Sequence, residues 1–183
     1  MNKVITCKYK APCGTLMLGD YNGKLCMCDW VNGGDKELND KRIKNLLNAE
    51  FMEGTSQIIE RAAMELDEYF NRERKEFDIP LLFVGSDFMK RVWNELLNIP
   101  YGTTISYGEQ AKRIGNPKAA RAVGGANGRN PISIFAPCHR VVGSSGLLTG
   151  YGGGMEVKRF LLNLETHPEF DLSNIAKLSN TLG

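Results

Sequence analysis

A chain of 183 residues can bury a real core, as one large domain or two small ones, and its 42 % hydrophobic and 24 % charged content is ordinary for a globular protein. No apolar run has the length of a signal-peptide core or a membrane span. Five cysteines, at positions 7, 13, 26, 28 and 138, do not form a disulfide-scaffold pattern, so free thiols in a cytoplasmic protein are expected. The net charge of +2 is unevenly spread: residues 1–87 carry 12 Lys/Arg against 15 Asp/Glu, whereas residues 88–160 carry 10 against 3, the bias of a phosphate-binding surface or of a solvated basic face.

The amino-terminal segment reads as β. Lys8–Asp20 and Lys24–Trp30 are runs of strand formers separated by Asn22-Gly23, the strongest short hairpin signal, which predicts Cys26 and Cys28 on one face of one strand. A zinc site built from Cys7, Cys13, Cys26 and Cys28 is disfavoured by the Cys-x-Cys spacing and the missing Cys-x-x-Cys pairs; these read as structural thiols, with no metal expected. Residues 32–56 read as polar connection with a short helix near Lys41–Asn48. From Ser56 to Asn71, apolar residues recur at helical spacing. Pro80 limits Phe77–Leu81 to an extended edge or linker, and the charge changes sign near Leu82–Ser86. The expected organisation is a domain over 1–84, a second over 85–168 and a tail over 169–183.

The second domain opens with a predicted helix over Asp87–Leu97, burying Phe88, Val92, Trp93, Leu96 and Leu97. Ser106 and Glu109 have the spacing of a capping box, starting a helix that runs to Ile114. Asn116-Pro117 supplies an N-cap and a first-turn proline for the next helix, which passes through Val123. Two short helices with a tight joint predict a helix-turn-helix. The second is built of small residues, Ala119, Ala120, Ala122, Gly124 and Gly125, which allow close approach to another surface and leave Lys118 and Arg121 to project from it.

The densest chemistry is in Pro137-Cys138-His139-Arg140, where a thiol sits among a base and a cation that favour thiolate formation. A glycine-dense loop, Gly143–Gly154, follows; it lacks the order of a phosphate-binding P-loop and suits a pocket where a flat group lies against backbone amides. The last predicted helix, Met155–Glu165, buries Val157, Phe160, Leu161 and Leu164 and ends on a carboxylate, Glu165, which the helix dipole disfavours unless it has a partner.

Taken together, Pro137–Val142, Tyr107, Asn116–Ala126, Asn130-Pro131, Gly150-Tyr151 and Leu161–Glu165 resemble the methylated-DNA–protein-cysteine methyltransferases, the O6-alkylguanine-DNA alkyltransferases, strongly over residues 77–165 and more loosely before them. The resemblance implies an α+β fold, with an amino-terminal ribonuclease-H-like antiparallel sheet plus helix and a mostly helical, winged helix-turn-helix-like carboxy-terminal domain. It implies a stand-alone monomer, without cofactor or added zinc region, that docks in the minor groove of duplex DNA and flips O6-alkylguanine, and O4-alkylthymine too, out of the stack. Cys138 would take the alkyl group once and irreversibly, with His139 as base through a water, Glu165 orienting it, Asn130 holding the turn and Tyr107 donating a proton to the flipped base or crowding the 3′ phosphate. DNA and base contacts would come from Lys118, Ala119, Ala120, Arg121, Gly124, Ser133, Arg140, Val141, Tyr151, Gly152 and Gly153.

Departures from the family pattern stand at Met89, Ser133, Ala136 and Gly152; the last leaves an amide where some relatives have a serine. Ser133, in place of a proline that packs on bulky substituents, predicts weak reaction with free benzylated guanine. A lesion-binding protein without transfer, a helix-turn-helix redox regulator and a cysteine hydrolase are the competing classes. The Cys138, His139 and Glu165 set speaks against the first, the lack of base-reading side chains on the second helix against the regulator, and a histidine adjacent in sequence against the hydrolase.

Overall fold

The structure, a computed structural model, describes residues 1–144, 146 and 150–168. The expected tail over 169–183 and residues 145 and 147–149 of the glycine-dense loop lie outside the described residues.

The amino-terminal sheet contains β1 (Asn2–Ala11), β2 (Gly14–Tyr21), β3 (Lys24–Trp30) and β4 (Ala49–Glu53) in the order β3-β2-β1-β4. The first expected run is broken at Pro12-Cys13, which turns the chain between β1 and β2. Asn22 and Gly23 both take positive φ, 52° and 84°, as a tight hairpin requires. β1 pairs antiparallel with β2 and parallel with β4, so the sheet is antiparallel in two of its three pairings.

The pairing of β2 with β3 corrects one expectation. Gly19 faces Met27 and Asp20 faces Leu25, which leaves Cys26 as an extra residue in a bulge. The bulge shifts the alternation by one position. Cys26 therefore packs with Val4, Met27 and Ile43 beneath α1 (Lys36–Leu47), whereas Cys28 packs with Leu16, Leu18 and Leu66 beneath α2 (Gln57–Phe70). The two cysteines lie on opposite faces of the sheet, in separate hydrophobic clusters.

α1 begins at Lys36 rather than Lys41; only Asn39 and Ile43 are buried on it, too few to make an apolar stripe. Its left-handed cap, Asn48 at φ 47°, turns the chain straight into β4, a strand unforeseen in the polar stretch. α2 is capped by Ser56, whose hydroxyl accepts from the Ile59 amide, and buries Ile59, Ala62, Leu66, Tyr69 and Phe70 on the sheet. Two segments cover the outer edge of β3. Pro80 and Leu82 bond to Leu25, and Pro131 and Ser133 bond to Cys28.

The second half packs α3 (Asp87–Leu96), α4 (Tyr107–Arg113) and α5 (Ala120–Gly128) around Val92, Trp93, Leu96, Ala111 and Val123. Two short strands, β5 (Ile105–Ser106) and β6 (Val141–Val142), pair in parallel, and α6 (Met155–Thr166) is the last element among the described residues. Ser106 accepts from the Glu109 amide as expected, but the Glu109 carboxylate pairs with Arg113 at 3.2 Å instead of reaching back. α5 starts at Ala120, after a turn closed by Ala119 N–H on the Asn116 carbonyl, so Asn116-Pro117 forms that turn and not the helix cap. Buried amides join the helix pair: Asn127 donates to Gln110 Oε1 at 2.7 Å, and Gln110 donates to Asn127 Oδ1 at 3.2 Å and to the Val92 carbonyl at 3.1 Å. Among the described residues no helix is long and apolar enough to cross a membrane.

Candidate active site

Residues 130–142 form a tightly bent path that presents Cys138. After the bonds to β3, Phe135 N–H donates to the Ser133 carbonyl at 2.9 Å, closing a three-residue turn centred on Ile134 at φ 73°. That conformation is rare for a β-branched residue and costs about 1–3 kcal/mol. A second such turn, centred on Pro137 at φ −83° and ψ 67°, brings Cys138 N–H to the Ala136 carbonyl at 2.8 Å. Asn130 clasps the bend from inside, its Nδ2 donating to the Ala136 carbonyl at 2.8 Å and to Cys138 Sγ at 3.2 Å, while its Oδ1 accepts from Ile132 N–H at 3.0 Å.

The Cys138 thiol is only 4 % exposed. Burial pushes its pKa up to about 11, against the bond from Asn130 and the charge of Lys158. The resting group is therefore a neutral thiol, and the thiolate forms only when a base takes its proton. His139 is wholly buried beside it in sequence, with Nε2 2.6 Å from Glu165 Oε2. Burial disfavours the imidazolium, as do Arg140 and Lys158, and although Glu165 opposes them the pKa lies below the ordinary histidine value. A neutral ring that donates Nε2–H to Glu165 leaves Nδ1 as its lone-pair acceptor, and Nδ1 has no hydrogen-bond partner among the described residues.

Glu165 is the hub. Its Oε2 accepts from His139 and from Tyr69 Oη at 2.6 Å and from Arg140 Nη2 at 3.1 Å; its Oε1 accepts from Arg140 Nε at 2.9 Å and from Gly102 N–H at 3.1 Å. Burial would raise this carboxyl, but His139 and the Arg140 guanidinium outweigh it and hold the group well below the usual carboxylate range. These donors answer the question of why a helix should end on a carboxylate.

Arg140, expected among the DNA and base contacts, is buried; its guanidinium is taken by Glu165 and by the Ile99 carbonyl at 2.7 Å, which is the reason it does not face outward. Val141 is buried as well, and its carbonyl already accepts from Lys158 Nζ at 2.7 Å, leaving one lone pair. Lys158 was not singled out from sequence, yet it is a fully buried ammonium on α6, 3.5 Å from Tyr107 Oη and 5.8 Å from the Tyr107 ring centre. Burial lowers its pKa, opposed by Cys138. A signal was present: Lys158, Leu161 and Glu165 share one helical face, so a lysine falls in the middle of a buried stripe. Tyr69 reads from sequence simply as part of the apolar stripe of α2, with nothing to mark its bond to Glu165.

Tyr107, Ala120, Arg121 and Gly124, with Gly108, Ser144 and Gly150, line an open hollow of about 580 Å³. Lys118, in the turn before α5, and Arg121, in its first turn, are exposed, and Ala119 is half-buried between them. Ser133 is buried, and Tyr151, Gly152 and Gly153 lie against the end of β3. The expected residues thus fall into a buried relay (Asn130, Cys138, His139, Glu165), a hollow beside α5, and a wall made by Ser133 and residues 151–153. Among the described residues no group of three or more His, Cys, Asp or Glu side chains is placed to hold a metal ion.

A buried thiol beside a histidine anchored on a carboxylate, next to a basic pair of short helices, has the chemistry of a cysteine nucleophile set at a surface suited to a polyanion. Comparison with known proteins narrows this. The profile of the 6-O-methylguanine DNA methyltransferase DNA binding domain matches residues 87–167, and that of the ribonuclease-like domain of the same proteins matches residues 4–83. The chain belongs to the 6-O-methylguanine DNA methyltransferase family. A methylated-DNA–protein-cysteine methyltransferase of Methanosarcina acetivorans is 46 % identical over 159 residues, 86 % of this chain and 95 % of the relative. The enzyme of that name from Mycobacterium leprae is 48 % identical over 158 residues, 86 % of this chain and 89 % of its own. The Mycobacterium tuberculosis OGT crystallised in complex with DNA superposes with a TM-score of 0.78 at 41 % identity, covering 95 % of this chain and 99 % of that one.

Proposed function

We propose that this chain is a methylated-DNA–protein-cysteine methyltransferase that repairs DNA by moving the alkyl group of O6-alkylguanine, and of O4-alkylthymine, onto Cys138. The observation that carries the reading is the relay itself: a thiol held by Asn130, followed in sequence by a neutral His139 whose Nε2 is fixed on Glu165 and whose Nδ1 lone pair remains available.

In this reading residues 85–168 are the catalytic domain, residues 1–84 support it, and the protein works as a monomer. Duplex DNA docks by its minor groove on α5, with Lys118 on phosphate and Ala119, Ala120 and Gly124 allowing the backbone to approach closely. The damaged base leaves the stack, because the O6-alkyl carbon cannot otherwise be reached, and Arg121 fills the gap. The base enters between Tyr107 and the wall of Ser133 and Tyr151, with the amides of 151–153 toward O6 and carbonyls near Cys138 and Val141 toward its amino group.

A water joins Sγ to His139 Nδ1 and carries the thiol proton to the ring, where the Glu165 carboxylate stabilises the imidazolium formed. The thiolate attacks the alkyl carbon; the C–S bond forms as the C–O bond breaks, and the electron pair passes to guanine. Tyr107, with the Lys158 ammonium at its hydroxyl, supplies the proton that restores neutral guanine. The product thioether offers no leaving group that water can displace, so each molecule acts once.

The test is the intact mass of the protein after incubation with a duplex containing O6-methylguanine. A gain of one methyl group that Cys138→Ala abolishes, while the variant still binds the duplex, supports the proposal. Binding by the parent protein with no gain in mass identifies a lesion-binding protein and overturns it.

A further inference from the structure

The walls around the thiol are fastened to a strand of the other half of the chain. On the outer edge of β3, Cys28 N–H donates to the Pro131 carbonyl and Ser133 N–H donates to the Cys28 carbonyl, both at 2.8 Å. Two residues further on, Trp30 Nε1–H donates to Tyr151 Oη at 3.0 Å. Just past the strand, Gly34 N–H donates to the Gly152 carbonyl at 3.2 Å. The loop before the nucleophile and the loop after it are thus both registered to β3.

The fit is close. A Cβ added at Gly153 would stand 2.6 Å from the Trp30 ring, and one added at Gly33 would stand 2.9 Å from the Gly152 carbonyl oxygen. Trp30 is 3 % exposed and belongs to the core cluster of the sheet, so its indole is a fixed point. Tyr151 packs against that cluster and also against the one containing Cys138. Its hydroxyl is bonded by Ser133 as well as by Trp30, and burial and then a charge on Cys138 disfavour its ionisation.

We propose that Trp30 is a positioning residue for alkyl transfer: through the Tyr151 hydroxyl it fixes the 151–153 amides and Ser133 against the alkyl group, so that a residue of the amino-terminal sheet sets transfer rate and alkyl-size selectivity. The inference rests on the reading of Cys138 as the acceptor. Its physical basis is orientation, since moving the groups around a reacting carbon by a fraction of their contact distance slows the chemical step without changing how the duplex is held.

The experiment is single-turnover transfer from duplexes carrying O6-methylguanine or O6-benzylguanine, with duplex affinity measured alongside, for Trp30→Phe, Tyr151→Phe and the double variant. Each single variant is expected to slow methyl transfer about tenfold, the size of one hydrogen bond, with duplex Kd within about twofold. The double variant is expected to be no slower than the slower single one, because both substitutions break the same bond. The benzyl-to-methyl rate ratio rises in all three as the wall recedes. Losses that multiply, or a Trp30→Phe protein with parental rate and ratio, overturn the proposal. Should Trp30→Phe fail to fold, Tyr151→Phe removes a single oxygen and must by itself raise the ratio; an unchanged ratio overturns the proposal equally. A parent protein that binds both duplexes and transfers neither group overturns the reading of Cys138 instead.

Discussion

Ile134, at φ 73° and 1 % exposed, shows how Cys138 is held: burial and the clasp of Asn130 stabilise a bend that the backbone alone disfavours. Asn130→Ala removes the donor to both the Ala136 carbonyl and Sγ. We expect it to slow transfer about tenfold, as a buried hydrogen bond to the reacting group implies, with duplex affinity unchanged in a binding titration. His139 supplies a pH test. Its folded pKa lies below its ordinary 6.5, so the stability it gives is present above pH 6.5 and is lost as pH falls below that value; Glu165, depressed from 4.5, adds a second loss only at more acid pH. Denaturant titrations of His139→Gln should therefore lack the decline that the parent protein shows between neutral pH and pH about 5. At this scale the cysteine and histidine were legible because they adjoin in sequence. The roles of Tyr69, Arg140 and Lys158 were not: each is a long or aromatic side chain whose partner lies on another element, and sequence does not reveal partners brought together by folding.

Among the elements, strong apolar periodicity and capping residues made α2 and α3 legible, and Asn22-Gly23 fixed the β2–β3 hairpin. α1 escaped in part because one aliphatic residue, Ile43, and a polar contact of Asn39 with Asp29 anchor it, and β4 because its partner is β1, more than 40 residues earlier. The bulge at Cys26 could not be read from alternation, since alternation is what it interrupts. The α4–α5 pair depends on the reciprocal amides of Gln110 and Asn127. Asn127→Leu leaves the Gln110 amide buried without that partner and should cost about 1–3 kcal/mol in thermal or denaturant unfolding. Because it loosens the helix that carries Arg121, it should also weaken duplex binding in the same preparation.

For the whole molecule, the charge division seen in the sequence, −3 over residues 1–87 and +7 over 88–160, is also a structural one: the basic half carries α5 and Cys138, and the acidic half carries the four-stranded sheet whose β3 edge bonds to residues 131–133. The two halves meet at Glu165, which accepts from Tyr69 of α2 as well as from Gly102, His139 and Arg140. Glu165→Gln leaves the Arg140 guanidinium buried without its counter-charge and should destabilise the fold by about 3–5 kcal/mol as well as stop transfer, checked by unfolding and by the transfer assay at a temperature where the variant is folded. In the proposed docking Lys118 meets phosphate, so Lys118→Ala should reduce the slope of log affinity against log salt by about 1, uniformly across duplex sequences. The central claim, that Cys138 accepts one alkyl group and is then consumed, is tested most directly by titrating the protein with excess O6-methylguanine duplex and mapping the modified peptide by mass. A plateau of one guanine restored per chain, with the methyl group on Cys138, is expected; continued turnover, or a methyl group on any other residue, rules out a cysteine that is used once.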